Sequence, residues 1–344
     1  MALRFRGLDA VAPRISREAT MRVPDAALRS IVYLGYQTPG GTFVAKGTGF
    51  LVDLNRTPGG AIYLITAHHV ASKLNQPFAI RFNDRAGQSH VQLSQQPQHK
   101  WWYHPTDSSV DAAVFPWGLR GRTATFPVSR FITEVNLDLI GIGIGDEVFI
   151  VGLFREWAGR AQVTPIVRHG HIAMMANELI PTRNYSDALL HLVEALSLGG
   201  LSGSPVIVRQ TVGVSALRRS RTTFDPEIGM ALGDMYLLGL VHGYYPTNAE
   251  GATSGATKWH TGISMVVPST KILEILNQPK LVEFEKRIVE AMKKRDDDKP
   301  VETAMEESKP KPSRKSRDKD VSEHPNKGRF FNDLAKAIQK REKK

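Results

Sequence analysis

Between Ser30 and Ile275 the chain is divided into short apolar runs, each closed by a turn-forming residue, and this rhythm restricts the fold more than any other feature. SIVYLGYQ, TFVAKGTGFLVDL, AIYLITA, PFAIRF, VDAAVFPW, DEVFIVGLF, SPVIVRQ, MYLLGLVHGYY and GISMVVP are rich in Val, Ile, Leu, Tyr or Phe and end at Gly, Pro, Asn or Asp. Branched and aromatic side chains fit a pleated, half-buried surface, so these runs read as strands. Their number and spacing predict an all-β barrel or sandwich rather than alternating βα units. Two short helices are expected among them. One is VASKLNQ, directly after His69; the other is PSTKILEILNQ, where Ser269 or Thr270 is placed to cap and Ile272, Leu273, Ile275 and Leu276 form an apolar stripe.

The composition changes after this region. LVEFEKRIVEAMKKR, within 281–296, reads as an amphipathic helix, and 297–327 has almost no large apolar residue. Such a stretch cannot bury enough surface to offset its ordering entropy, so it is expected to be a disordered charged linker. In 328–344, Phe330, Phe331, Leu334 and Ile338 fall near one helical face, suited to docking a recruiting or activating partner protein or to a membrane surface; a frayed basic tail is the plain alternative. Residues 1–29 form an N-terminal extension and 30–280 the main domain. The net charge is +11, but much of the excess lies beyond about residue 285, which leaves the body only mildly basic and makes nucleic acid an unlikely ligand.

Cysteine is absent, which excludes disulfides, thiolate metal sites and a thiol nucleophile, and fits a reducing compartment. The first residues, MALRFRGLDAVAPRISREATMR, contain no apolar run of the kind a secretory signal needs, and Asp9 and Glu18 argue against an organellar presequence. No stretch approaches the roughly 18–20 continuous apolar residues of a transmembrane helix. A soluble, cytoplasmic protein is expected, with no metal or organic cofactor.

Three segments carry chemistry. GLSGSP, Gly200 to Pro205, can form the tight turn that exposes a serine hydroxyl while backbone N–H groups face a carbonyl oxygen under attack; glycine at 200 and 203 admits conformations that a Cβ forbids. YLITAHHV, Tyr63 to Val70, runs an apolar strand into two histidines, and either His68 or His69 suits a general base. SVDAAVF, Ser109 to Phe115, opens an apolar run with Asp111, whose carboxylate is expected to be buried and therefore partnered, by an imidazole or by a local turn. Taken singly, each segment has an ordinary structural explanation. Together they occur in the order His, Asp, Ser, about 42 and 91 residues apart, in a strand-rich chain.

In these residues the sequence resembles the trypsin-like serine peptidase family. TAHHV is similar to its T-A-A-H-C motif, VDAAV to D-[LI]-A-[LV] and GLSGSPV to G-D-S-G-G-P. The resemblance extends to GTGFLV, GDEVFIVGLF, GLVHG and GISMVVPS, and so covers about 240 residues. It implies two six-stranded antiparallel β-barrels with a cleft between them, closed by a C-terminal helix. It also implies Ser202 as nucleophile, His69 rather than His68 as base, Asp111 as its orienting group, and the N–H groups of Gly200 and Ser202 as the oxyanion hole. Leu201 stands where zymogen-activated members carry an aspartate, so cleavage-driven activation is not expected and the likeness is to the bacterial, housekeeping branch without disulfides.

The resemblance further places Leu196 at the floor of the specificity pocket, with walls from His242, Gly243 and Tyr244 and from Gly262 to Ser264. No acid stands at the floor, so small or medium apolar side chains are the expected preference. About 60 residues remain beyond the domain, too few and too polar for an appended peptide-binding domain. The expected activity is peptide-bond hydrolysis through an acyl-enzyme, acting on a protein or peptide substrate under regulation. The alternative is a latent, protease-like scaffold that binds proteins.

Overall fold

The computed structural model describes residues 22–297 except 55, 57–60, 75–76, 95–99, 120–122, 160, 183–186, 196–198, 211–233 and 247–259. The expected linker at 297–327, the terminal helix at 328–344 and most of the 1–29 extension lie outside the described residues, apart from Asp297 at the end of the last helix.

The chain is all-β in its body. The first half contains β1 (Ile31–Gln37), β2 (Phe43–Asp53), β3 (Ala61–Thr66), β4 (Ala79–Asn83), β5 (Ser89–Leu93), β6 (Trp102–Tyr103), β7 (Ala113–Leu119) and β8 (Phe126–Pro127). Their order is β5-β4-β1-β2-β3-β7-β6, with β8 pairing in parallel beside β2, so this half is an eight-stranded sheet rather than a six-stranded one. The second half contains β9 (Glu147–Gly152), β10 (Ile166–Met174), β11 (Leu179–Ile180), β12 (Ala188–Leu189), β13 (His191–Glu194), β14 (Pro205–Arg209), β15 (Met235–Pro246) and β16 (His260–Pro268). Six of these close into an antiparallel barrel in the order β10-β13-β16-β15-β14-β9, and β11 pairs with β12 alone.

Burial explains which strands the sequence signals plainly. β3, AIYLIT, is buried at all six positions, and so reads as a continuous apolar run. β10 alternates, its polar positions carrying Arg168, His169 and His171, which dilutes the apolar signal until it no longer stands out. The core of the first half gathers Tyr33, Phe50, Leu51, Leu64, Phe78 and Phe115; that of the second gathers Val148, Ile150, Val206, Leu238, Val241 and Val266.

Helices frame the sheets. α1 (Asp25–Arg29) buries Ala27, so ordered structure begins before the expected boundary at residue 30. α2 (His68–Ala71) follows β3 directly and is shorter than the expected helix through Gln76. α3 (Glu134–Ile140) starts with a capping box from Thr133 and Asn136 and ends at Gly141 in the left-handed conformation. α4 (Ser269–Leu276) buries Ile272, Ile275 and Leu276. Its N-cap is Pro268, not Ser269 or Thr270, because the buried Ser269 hydroxyl donates instead to the carbonyl of Ile132 at 2.6 Å.

α5 (Pro279–Asp297) is fastened by a buried acid. Glu285 is 3% exposed and accepts from Arg56 Nη1 at 3.3 Å and from the Tyr63 hydroxyl at 3.0 Å. Burial first, and then the adjacent Glu285 charge, push the Tyr63 hydroxyl well above its ordinary pKa. No described helix is long and apolar enough to cross a membrane.

Candidate active site

β3 ends at Thr66, which pairs with Ala113 at the start of β7. This register sets Asp111, two residues before Ala113, against the turn into α2. The Asp111 carboxylate is fully buried and lies within hydrogen-bond reach of three N–H groups. Oδ1 accepts the His69 backbone N–H at 2.8 Å, and Oδ2 accepts from His69 Nδ1 at 2.7 Å. A carboxylate can only accept, so His69 carries its proton on Nδ1 and presents Nε2 as a basic lone pair. The neighbouring His68 ring packs on Tyr103 instead, centroids 4.3 Å apart. Burial holds His68 below the ordinary imidazole pKa, opposed by the Asp111 charge.

The third donor is His242, whose Nδ1 lies 2.7 Å from the same Oδ2. The two imidazoles meet edge to face, with centroids 6.1 Å apart. His242 was expected in a wall of the specificity pocket; its Nδ1 is engaged with Asp111. The cause is a β-bulge. Between Val241 and Gly243 the register of β15 against β16 shifts, leaving His242 as the extra residue. A bulge re-aims the side chain it inserts, so the alternation of the strand does not predict where His242 points. A sequence signal was present: an imidazole inside the apolar run MYLLGLVHGYY requires a polar partner.

Burial alone would raise the Asp111 pKa, but the hydrogen bonds from His242 and His69 and the positive potential of both rings outweigh it, and the carboxyl is held at about 2. His69, Asp111 and His242 also offer one potential metal-ligating atom each, all within 4.8 Å of one another. Their nitrogen and oxygen atoms already satisfy one another at hydrogen-bond distance, so the arrangement needs no ion.

Ser202 lies in the turn between Gly200 and Gly203, both at positive φ, 104° and 82°. Gly203 has to be glycine: a Cβ there would overlap Thr66 Oγ1 and the Thr48 carbonyl and approach Ala67 N within 2.9 Å. Those contacts show how tightly the turn is pressed against the segment that leads into His68 and His69. On its other side Gly203 N–H donates to Val241 O at 2.9 Å, next to His242. Ser202 is part-buried, whereas Ser204 is fully buried against Gly152, so of the two serines Ser202 is the one placed to meet a substrate.

Among the described residues, the backbone N–H groups of Gly200 and Ser202 donate to no protein acceptor. No hydrogen bond joins Ser202 Oγ to His69 among them either. Such contacts are commonly long without a substrate and tighten when one binds.

Histidine and aspartate thus come from the first half, and the serine turn and second histidine from the closed barrel. The fold is chymotrypsin-like. No protein-family model matches the sequence, and no curated protein sequence matches it significantly. Solved structures that the chain matches include two proteases. The MamO protease domain from Magnetospirillum magneticum, in its apo form, is 16% identical, with 74% of this chain and 99% of that one covered, at a TM-score of 0.44. An HtrA-type protease, AlgW, in a serine-to-alanine variant with a tripeptide, is also 16% identical, with 73% and 60% covered, at a TM-score of 0.41.

The remaining expected pocket residues are less concentrated. Leu196 lies outside the described residues. Gly243 and Tyr244 follow the bulge, and Tyr244 is 39% exposed. Gly262 takes φ 78°. Ser264 is fully buried with its hydroxyl on Ala195 O at 2.8 Å, and so offers no group to a pocket.

Proposed function

We propose that the chain is a serine endopeptidase working through an acyl-enzyme. The observation that carries this reading is the 2.7 Å pairing of His69 Nδ1 with a fully buried Asp111, beside a glycine-flanked serine turn. Ser202 Oγ attacks the peptide carbonyl, and His69 Nε2 takes its proton. The imidazolium formed is stabilised by Asp111, and the oxyanion is received by the N–H groups of Gly200 and Ser202. His69 then returns the proton to the leaving amine, and water repeats the sequence to release the acyl group.

The cysteine-free composition supports a reducing, cytoplasmic setting, and the charged segment at 297–344 is suited to recruiting an activating partner. Small or medium apolar side chains remain our proposed preference at the cleavage site. A latent protease-like scaffold is the second reading, favoured by the missing Ser202–His69 hydrogen bond among the described residues. Labelling with a fluorophosphonate probe separates the two, since only an aligned serine reacts.

A further inference from the structure

Thr48 lies in β2, fully buried, 152 residues away in sequence from the Gly200 carbonyl that it contacts. Its hydroxyl donates to Gly200 O at 2.7 Å and accepts the Leu153 N–H at 2.9 Å. Its backbone N–H donates to Ser202 O at 3.3 Å, and its carbonyl accepts the Thr66 hydroxyl at 2.7 Å. One residue therefore joins the serine turn, the end of β9 and the end of β3 just before α2.

The turn itself depends on this. The three consecutive carbonyls of residues 200, 201 and 202 are all engaged: those of Gly200 and Ser202 by Thr48, and that of Leu201 by Ser204 N–H at 2.9 Å. A hydrogen-bonded carbonyl fixes the plane of its peptide, because the peptide unit is rigid. The Ser202 N–H belongs to the peptide between the two planes that Thr48 holds, and the Gly200 N–H to the peptide immediately before the first. Gly199 and Gly200 stand next to each other, so without an external restraint this backbone has wide freedom to rotate.

We infer that Thr48 is a positioning residue that holds the serine turn in the orientation needed to receive an oxyanion, acting through its hydroxyl. It touches no substrate. The inference rests on the proteolytic reading for its consequence in rate, but not for its consequence in backbone order.

The test compares full-length wild type with Thr48→Val, which keeps the shape and loses the hydroxyl, and with Thr48→Ser, which keeps the hydroxyl. Two readouts are taken: backbone hydrogen exchange over residues 199–204, and fluorophosphonate labelling split into reversible binding and the bond-forming rate. Thr48→Val is expected to speed exchange in 199–204 about tenfold. It is expected to slow the bond-forming step by about the same factor or more, with reversible binding little changed. Thr48→Ser is expected to restore both to near wild type, which loss of packing alone does not predict.

If wild type labels and Thr48→Val labels at the wild-type rate, the inference is overturned. If wild type does not label, the proteolytic reading fails, and exchange still decides: unchanged protection at 199–204 in Thr48→Val overturns the inference, while faster exchange rescued by Thr48→Ser upholds it. Should Thr48→Val fail to fold, Thr48→Ala beside Thr48→Ser provides the same comparison, with equal exchange at 199–204 in the two counting against it.

Discussion

Replacing His242 with leucine removes one of the donors to Asp111 while keeping an apolar side chain of similar size in the bulge. A hydrogen bond to a charged group contributes about 1.5–3 kcal/mol, and each pKa unit corresponds to about 1.4 kcal/mol, so the Asp111 carboxyl should rise by about 1–2 units. It starts from about 2, so in the variant it titrates between about 3 and about 4.

The sign follows from linkage. A carboxyl depressed below its ordinary value of 3.8 stabilises the fold fully above that value and loses its contribution as pH falls through the folded-state pKa. Wild type should therefore lose about 2.5 kcal/mol progressively as pH falls from 3.8 to about 2, whereas His242→Leu, its folded-state pKa within about a unit of 3.8, has at most about 1 kcal/mol to lose. Urea unfolding measured at steps from pH 6 to pH 2.5 reads the difference. At pH 8 Asp111 is ionised in both proteins, so a fall in serine labelling there reports orientation alone, and about tenfold is expected. His242→Asn, which can place an amide N–H near the lost Nδ1–H, should recover part of both effects. Coincident stability profiles for wild type and His242→Leu below pH 5, with equal labelling at pH 8, would refute the reasoning.

Gly203→Ala should cost at least about 3 kcal/mol, combining strained positive φ with overlap against the Thr48 and Ala67 backbone, and should abolish labelling; chemical denaturation gives the first quantity. Arg56→Ala leaves Glu285 buried with, among the described residues, the Tyr63 hydroxyl as its partner, and because Arg56 is itself 26% exposed the expected loss is about 2–3 kcal/mol, a fall in Tm that differential scanning calorimetry resolves. Burial lowers the His191 pKa to about 4 from 6.5 while its Nδ1 accepts the Ala176 N–H. The unfolded chain therefore binds this proton first, and about 3 kcal/mol of stability present above pH 6.5 drains away between pH 6.5 and 4. His191→Asn should flatten that slope.

The parts of this structure that were readable from sequence are those whose signal is local. GLSGSP, TAHHV and VDAAV each announce themselves within a few residues, and their elements fold as the apolar runs suggest. The structure pairs the His69 ring with Asp111 and packs the His68 ring on Tyr103; beforehand only a family likeness separated the two, since adjacent histidines have the same local context. The contact of His242 with Asp111 was not foreseen because a bulge breaks the two-residue period on which strand reasoning depends. Thr48 was passed over because a threonine in a strand is unremarkable until the distant carbonyls it meets are known. β10 and β13 escaped notice because polar residues interrupt their apolar positions: His169 and His171 on the exposed face of β10 with Arg168 on the other face, and the buried His191 and exposed Glu194 in β13. The eighth strand of the first half is two residues long, below what any periodicity can register.

The most direct test of the account is fluorophosphonate labelling of the purified protein beside Ser202→Ala, His69→Ala and His68→Ala. The account predicts labelling of wild type and His68→Ala, and none of Ser202→Ala or His69→Ala. Labelling that persists in Ser202→Ala, or that is lost in His68→Ala and kept in His69→Ala, would contradict it.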